Sequence, residues 1–179
     1  KLINRYYELF KQHGIFCGQV LTMKENFRNR QQYLNQKNCM SAMLQQGVIP
    51  IVNENDTTSL TELMFTDNDE LSGLIARLMG ADTLILLSNV DGLYNGRPGD
   101  EGVSLIPVVE AGHDVNEYIQ AEKSGAGRGG MQSKCKTAME VAASGIDVLL
   151  ARGNRENVLV DLVSNAPAVP HTHFQPGIL

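Results

Sequence analysis

Two stretches of the chain collect residue types that do chemistry. The first is VIPIVNENDTTSLTELMFTDNDE, residues 48 to 70. It holds Asn53, Asn55 and Asn68 with six acids, Glu54, Asp56, Glu62, Asp67, Asp69 and Glu70, and no Lys, Arg or His. Asparagine amides donate and accept hydrogen bonds at once. A carboxylate such as Asp56 can receive an ammonium, and the free N–H groups of a helix starting near Asn68 can receive a carboxylate. An amino-acid ligand would use all three. A calcium loop fits poorly, because an EF-hand needs Gly at its sixth position and Glu at its twelfth, whereas counting from Asp67 gives Ser72 and Leu78. Helix capping by Asp67 or Asn68, with Asp69 and Glu70 complementing the dipole, accounts for the second half of the stretch but not for Asn53 to Asp56.

The second stretch is GAGRGGMQSK, residues 125 to 134. Its four glycines let backbone approach a ligand closely. The helix that follows would offer free N–H groups and a positive dipole end to a phosphate. Lys134 sits about one turn inside that helix, in reach of the same anion. A P-loop needs G-K-[ST], and here Ser133 precedes Lys134. Gly125, Gly127 and Gly130 match the spacing of G-x-G-x-x-G, but no strand leads directly into them. The bland alternative is a flexible loop before a well-capped helix.

Alternating helical and strand-like segments must position these groups. Helices are expected over 1–12, 25–46, 67–79 and 131–144, with a short one in RENVLVDLVSN, and strands over 15–23, 48–53, 84–87 and 147–151. SLIPVV reads as a further strand, DGLYNGRPGDEG as turns, and the Pro-rich tail as ending in a short edge strand. Near-continuous apolar strands in this alternation indicate an α/β domain with a mostly parallel sheet covered on both faces. Ligands of such sheets bind beyond the carboxyl ends of the strands. Those ends carry NEND, SN (Ser88 and Asn89) and RGN.

Composition narrows the classes. The chain has 179 residues, 42% apolar and 20% charged, and a net charge of −5. This fits a single soluble globular domain and gives no case for nucleic-acid binding. The basic segment Lys24 to Lys37 reads as a solvated helix face. Cys17, Cys39 and Cys135 form no C-x-x-C pair, and their odd number fits a reducing, cytoplasmic setting. No apolar run approaches the ~20 residues that cross a bilayer, so no membrane partner is expected. The N-terminus begins without Met or helix cap, and the chain is expected to lack a preceding segment.

IPIVNEND, FTDNDELSGLIARLMGADTLILLSNVDGLY and GRGGMQSKCKTAMEVAASGID, in this order and at these separations, resemble the glutamate 5-kinases of the amino-acid kinase family. The resemblance runs from about Gln19 to Gly153. It implies a three-layer αβα fold over residues 1–179, a single kinase domain, and transfer of the γ-phosphate of ATP, with Mg²⁺, to the side-chain carboxylate of glutamate, the first step of proline synthesis. It implies that Asp56 and Asn68 contact glutamate beside Asn53, that Asp69 orients the catalytic Lys134, and that Ser88 and Asn89 lie by the nucleotide. Arg128, Gly129, Gly130, Met131, Gln132, Ser133 and Lys134 would wrap the phosphates. The acids of residues 53 to 70 would then be countered by the substrate ammonium, Lys134 and Mg²⁺. Arg128 and Asn89 depart from the Thr and Asp common in the family. Its opening strand with a Lys and a Gly-Ser-Ser turn does not precede Lys1, and no C-terminal PUA domain is expected. A homo-oligomer and a feedback site for proline are further implications. An acetylglutamate or aspartate kinase, and a binding fragment without turnover, remain as alternatives.

Overall fold

The computed structural model describes residues 2–55, 65, 67–116, 118, 130–164 and 169–177. They form two compact units, Lys1–Met79 and Gly80–Leu179.

In the first unit, α1 (Leu2–Lys11) leads into β1 (Phe16–Thr22), which pairs in parallel with β2 (Val48–Glu54) from Phe16↔Val48 to Thr22↔Glu54. The helix expected from residue 25 begins later. Residues Lys24–Phe27 form a 3₁₀ turn, because the Asn26 side chain accepts the Met23 amide at 2.6 Å and bends the chain first. Asn29 then caps α2 (Arg30–Gln45), accepting from the amides of Gln31 and Gln32 at 3.0 and 3.1 Å. Gly47, at φ +71°, reverses the chain into β2. The unit closes with α3 (Asn68–Met79), and α2 and α3 both pack against β2. Met40, Leu71, Ala76 and Leu78 are buried between these elements, and Phe27 meets the buried Phe65 edge-on with ring centres 5.9 Å apart. Helix α1 buries no residue fully, and Leu2 remains 69% exposed.

The second unit is a four-stranded sheet in the order β3 (Thr83–Ser88), β5 (Asp147–Arg152), β6 (His171–Phe174) and β4 (Val108–Val109). β3 and β5 are parallel, as are β4 and β6, and β5 and β6 are antiparallel. Helix α4 (Gly130–Ala142) packs on β5 and β6 through a stripe that includes Cys135, Ala138, Val141 and Ala142. Alternation along β5 sends Leu149 and Ala151 to one face, where they meet Val158 and Leu162 of the short helix α5 (Val158–Val163). Val148 and Leu150, which are fully buried, belong to the other face. A mostly parallel α/β architecture is thus what the alternation predicts.

Two strands differ from expectation. The tail strand is not at an edge: β6 lies inside the sheet, between β5 and β4. Its prolines, Pro170 and Pro176, flank the strand rather than enter it, so the amides of HTHF stay available on both sides. The strand expected over SLIPVV shrinks to Val108–Val109, because Pro107 has no N–H to give and contributes only its carbonyl, to the amide of His173 at 2.9 Å.

Candidate functional site

At the carboxyl end of the β1–β2 pair, the sequence brings amides and acids together. Thr22, fully buried, donates its hydroxyl to Asn26 Oδ1 at 3.2 Å, and its carbonyl accepts the amide of Asn55 at 2.8 Å. Asn26 also binds Gln32 and Gln36, at 3.0 and 3.3 Å. Glu54, at the end of β2, accepts the Phe65 amide at 3.0 Å. Asn53 stands exposed one residue earlier.

Asp67 caps α3, taking the Glu70 amide on Oδ1 at 3.0 Å. One of the helix-start amides that could face a carboxylate ligand is therefore already used. Asn68 is exposed at the first position of α3, and Asp69 is half-buried, its carbonyl accepting from Ser72 Oγ at 2.7 Å. Glu70 has a cation: Lys24 Nζ lies 2.6 Å from its Oε1, with both side chains about a third exposed. Lys24 is thus not simply part of a solvated face. Its pairing was hidden because the residues are 46 positions apart. Asp56 lies outside the described residues.

In the second unit, the ends of β3 and β5 carry Ser88 and Arg152 as parallel register partners. The Gly153 amide donates to the Ser88 carbonyl at 2.8 Å and extends the pairing by one bond. Asn89 is exposed, with Oδ1 3.4 Å from Ser88 Oγ. Arg152 reaches the next loop, donating from Nε to Asp91 Oδ1 at 2.7 Å and from Nη2 to Oδ2 at 3.3 Å, while the Tyr94 hydroxyl donates to the same Oδ2 at 3.1 Å. The Arg152 hydrogen bond holds the Asp91 carboxyl below its ordinary range, against the opposing effect of partial burial. Burial, then the hydrogen bond and charge of Asp91, push the Tyr94 phenol upward.

The same loop is anchored beneath. Thr172, fully buried in β6, accepts the Leu93 amide at 2.8 Å and donates to the Ile106 carbonyl at 2.7 Å. A Cβ on Gly92 would stand 2.4 Å from Thr172 Oγ1 and 2.9 Å from the Thr172 amide nitrogen, so only glycine fits there. Gly130 opens α4, and among the described residues none would stand within 4 Å of a Cβ built on it. Met131, Ser133 and the half-buried Lys134 follow in the first turns, with Gln132 exposed. Arg128 and Gly129 lie outside the described residues. Asp91, Tyr94, Arg152 and Thr172 were not singled out from sequence. The one signal was the strand-end position of ARGN, which placed Arg152 without revealing its partner.

Parallel strand pairs whose ends carry polar side chains, with a glycine at the start of α4, belong to an α/β fold of the kind that binds ligands beyond its strand ends. The model of the Amino acid kinase family matches residues 2–152, and the chain belongs to that family. It is 61% identical over 177 residues to a glutamate 5-kinase of Bacteroides thetaiotaomicron, covering 99% of this chain and 49% of that protein. It is 47% identical over 169 residues to a glutamate 5-kinase of Chlorobaculum tepidum, covering 94% and 46%. The chain therefore spans about half the length of these curated relatives. Among solved structures, the isopentenyl phosphate kinase product complex of T. acidophilum aligns with a TM-score of 0.64 at 13% identity, over 97% of this chain and 66% of that one. At that identity it supports the fold alone. Among the described residues no helix is long and apolar enough to cross a membrane.

Proposed function

We propose that this chain is part of an ATP-dependent kinase that phosphorylates the side-chain carboxylate of L-glutamate to γ-glutamyl phosphate, the first step of proline biosynthesis. The observation that carries the reading is the 61% identity to a glutamate 5-kinase across 99% of the chain. Residues 1–179 are read as a single amino-acid kinase domain.

In this proposal Asp56, Asn68 and Asn53 bind glutamate. Ser88, Asn89 and the residues from Arg128 to Ser133 bind ATP. Lys134 stabilises charge on the transferring phosphoryl group, and Asp69 is the second catalytic residue. The exposed amides of Asn53 and Asn68, and the position of Gly130 at the start of α4, suit these tasks. ATP supplies the phosphoryl group, and Mg²⁺ neutralises its oxygens. Among the described residues no three His, Cys, Asp or Glu side chains gather as a metal site. Magnesium usually keeps several waters and binds through substrate phosphates and one or two carboxylates, so in this reading it arrives with the nucleotide. Proline as a feedback inhibitor, a homo-oligomer and a cytoplasmic location belong to the same proposal.

The test is ATP-dependent hydroxamate formation with a panel of L-glutamate, N-acetyl-L-glutamate and L-aspartate. Glutamate is expected to be used by far the best. Preference for either of the other two acids would reassign the substrate within the family.

A further inference from the structure

The Asp91–Arg152 pair has no role in the assignments above, yet it sits beside the residues proposed to meet the nucleotide. Ser88 is held on one side by its pairing with β5 and by the Gly153 amide. From there the chain crosses Asn89 and Val90 and is caught again at Asp91 by two bonds from Arg152 and one from Tyr94. Immediately beyond, Gly92 and Leu93 are fastened to the buried Thr172. The segment Ser88–Val90 is thus a short bridge between two fixed points, and its middle residue, Asn89, presents its side chain to solvent.

The geometry points to Asp91, Arg152 and Tyr94 as a positioning clip that holds the Ser88–Asn89 bridge in the shape a purine nucleotide requires. The inference rests on the nucleotide reading of Ser88 and Asn89 given under the proposed function. A guanidinium fork on a carboxylate fixes direction as well as distance, which a point charge cannot do. A bridge held rigid before binding loses less freedom when the ligand arrives, and that difference appears as affinity. An ordinary surface ion pair would add little to anything. Here both carboxylate oxygens are engaged, a third donor shares one of them, and the guanidinium comes from the neighbouring strand end. Arg155 adds positive charge nearby, and its field also acts on Asp91. It remains in place in every variant below.

The experiment is a fluorescence titration of the full-length protein that carries this chain with N-methylanthraniloyl-ADP. It compares wild type with Asp91→Asn, Arg152→Gln, Arg152→Lys and the Asp91→Asn/Arg152→Gln double variant, with circular dichroism to establish that each is folded. Each single variant is expected to bind roughly three- to tenfold more weakly, and the double variant no more weakly than the worse single one, because both remove the same clip. Arg152→Lys keeps the charge and loses the fork, so its weakening separates orientation from electrostatics and serves if either neutral variant fails to fold. Unchanged affinity in the folded single variants, or losses that simply add in the double variant, would overturn the clip while leaving the nucleotide reading intact. Absence of nucleotide binding by folded wild type would overturn the reading and the clip together.

Discussion

At the end of β1 and β2, polar side chains are held by other polar side chains: Thr22 on Asn26, Asn26 on Gln32 and Gln36, Lys24 on Glu70. At the end of β3 and β5, the loop is held by an arginine fork and by a hydroxyl buried in the sheet. The cores beneath differ in the same sense. Among the described residues, the buried apolar side chains of the first unit are Met40, Phe65, Leu71, Ala76 and Leu78, whereas the second unit buries a larger set, from Leu86 to Phe174. A network of polar side chains can yield to a ligand that brings its own charges. A loop fastened to a dense core is set in advance. The first arrangement suits a small zwitterion that completes the hydrogen bonding. The second suits a large ligand whose ordering cost must be kept low.

The largest effect that would break this contrast lies at Lys134. If the second unit supplies the rigid phosphoryl-transfer machinery, Lys134→Ala in an active preparation should lower kcat by ~10²-fold or more with the fold retained. An unchanged kcat would remove the lysine from catalysis. Next comes Asp56→Asn, which should raise KM for glutamate about tenfold, from loss of a charge-assisted bond of ~1.5–3 kcal/mol. KM for ATP should hardly move, and the reverse pattern would exchange the roles of the two regions.

The rigidity of the second unit can be probed directly. Gly92→Ala forces a methyl against Thr172 and is expected to cost about 1–3 kcal/mol, read as a lower urea midpoint. A neutral result would show that the loop is not fastened as described.

Smaller effects sharpen the comparison. The folded pKa of Asp91 is depressed, so its contribution to stability is present above the ordinary carboxylate range and lost as pH falls through the lowered folded value. Urea midpoints of wild type and Asp91→Asn should therefore differ at neutral pH and converge in acid. The difference should be modest, because the Arg152 side chain is 38% exposed. Lys24→Ala should cost about 0.2–1 kcal/mol, since its pair with Glu70 is partly solvated. A larger loss there than on breaking the Arg152 fork would reverse the ranking of the two regions.

Much of the framework is legible in the order of residues, because periodicity and punctuation are local. Asp67 caps the helix that follows it, Gly47 ends α2, and the apolar runs at 48–53, 84–87 and 147–151 are strands within a residue or two of their expected ends. Local reading failed where a side chain competed with the backbone pattern. Asn26 turned the start of an expected helix into a 3₁₀ turn, and Pro107 cut a strand to two residues.

What the sequence determined by itself was the alternation of elements, the polar residues at strand ends and the glycines before α4, since each depends on neighbours within a few positions. Only the tertiary structure decided that the tail strand lies inside the sheet, that Lys24 answers Glu70, and that Thr172 and Arg152 fasten a loop about 60 to 80 positions away in the chain. These are choices of partner across a sheet or between loops. The residue types permit many such partners, and packing density and hydrogen-bond satisfaction in the folded chain select one.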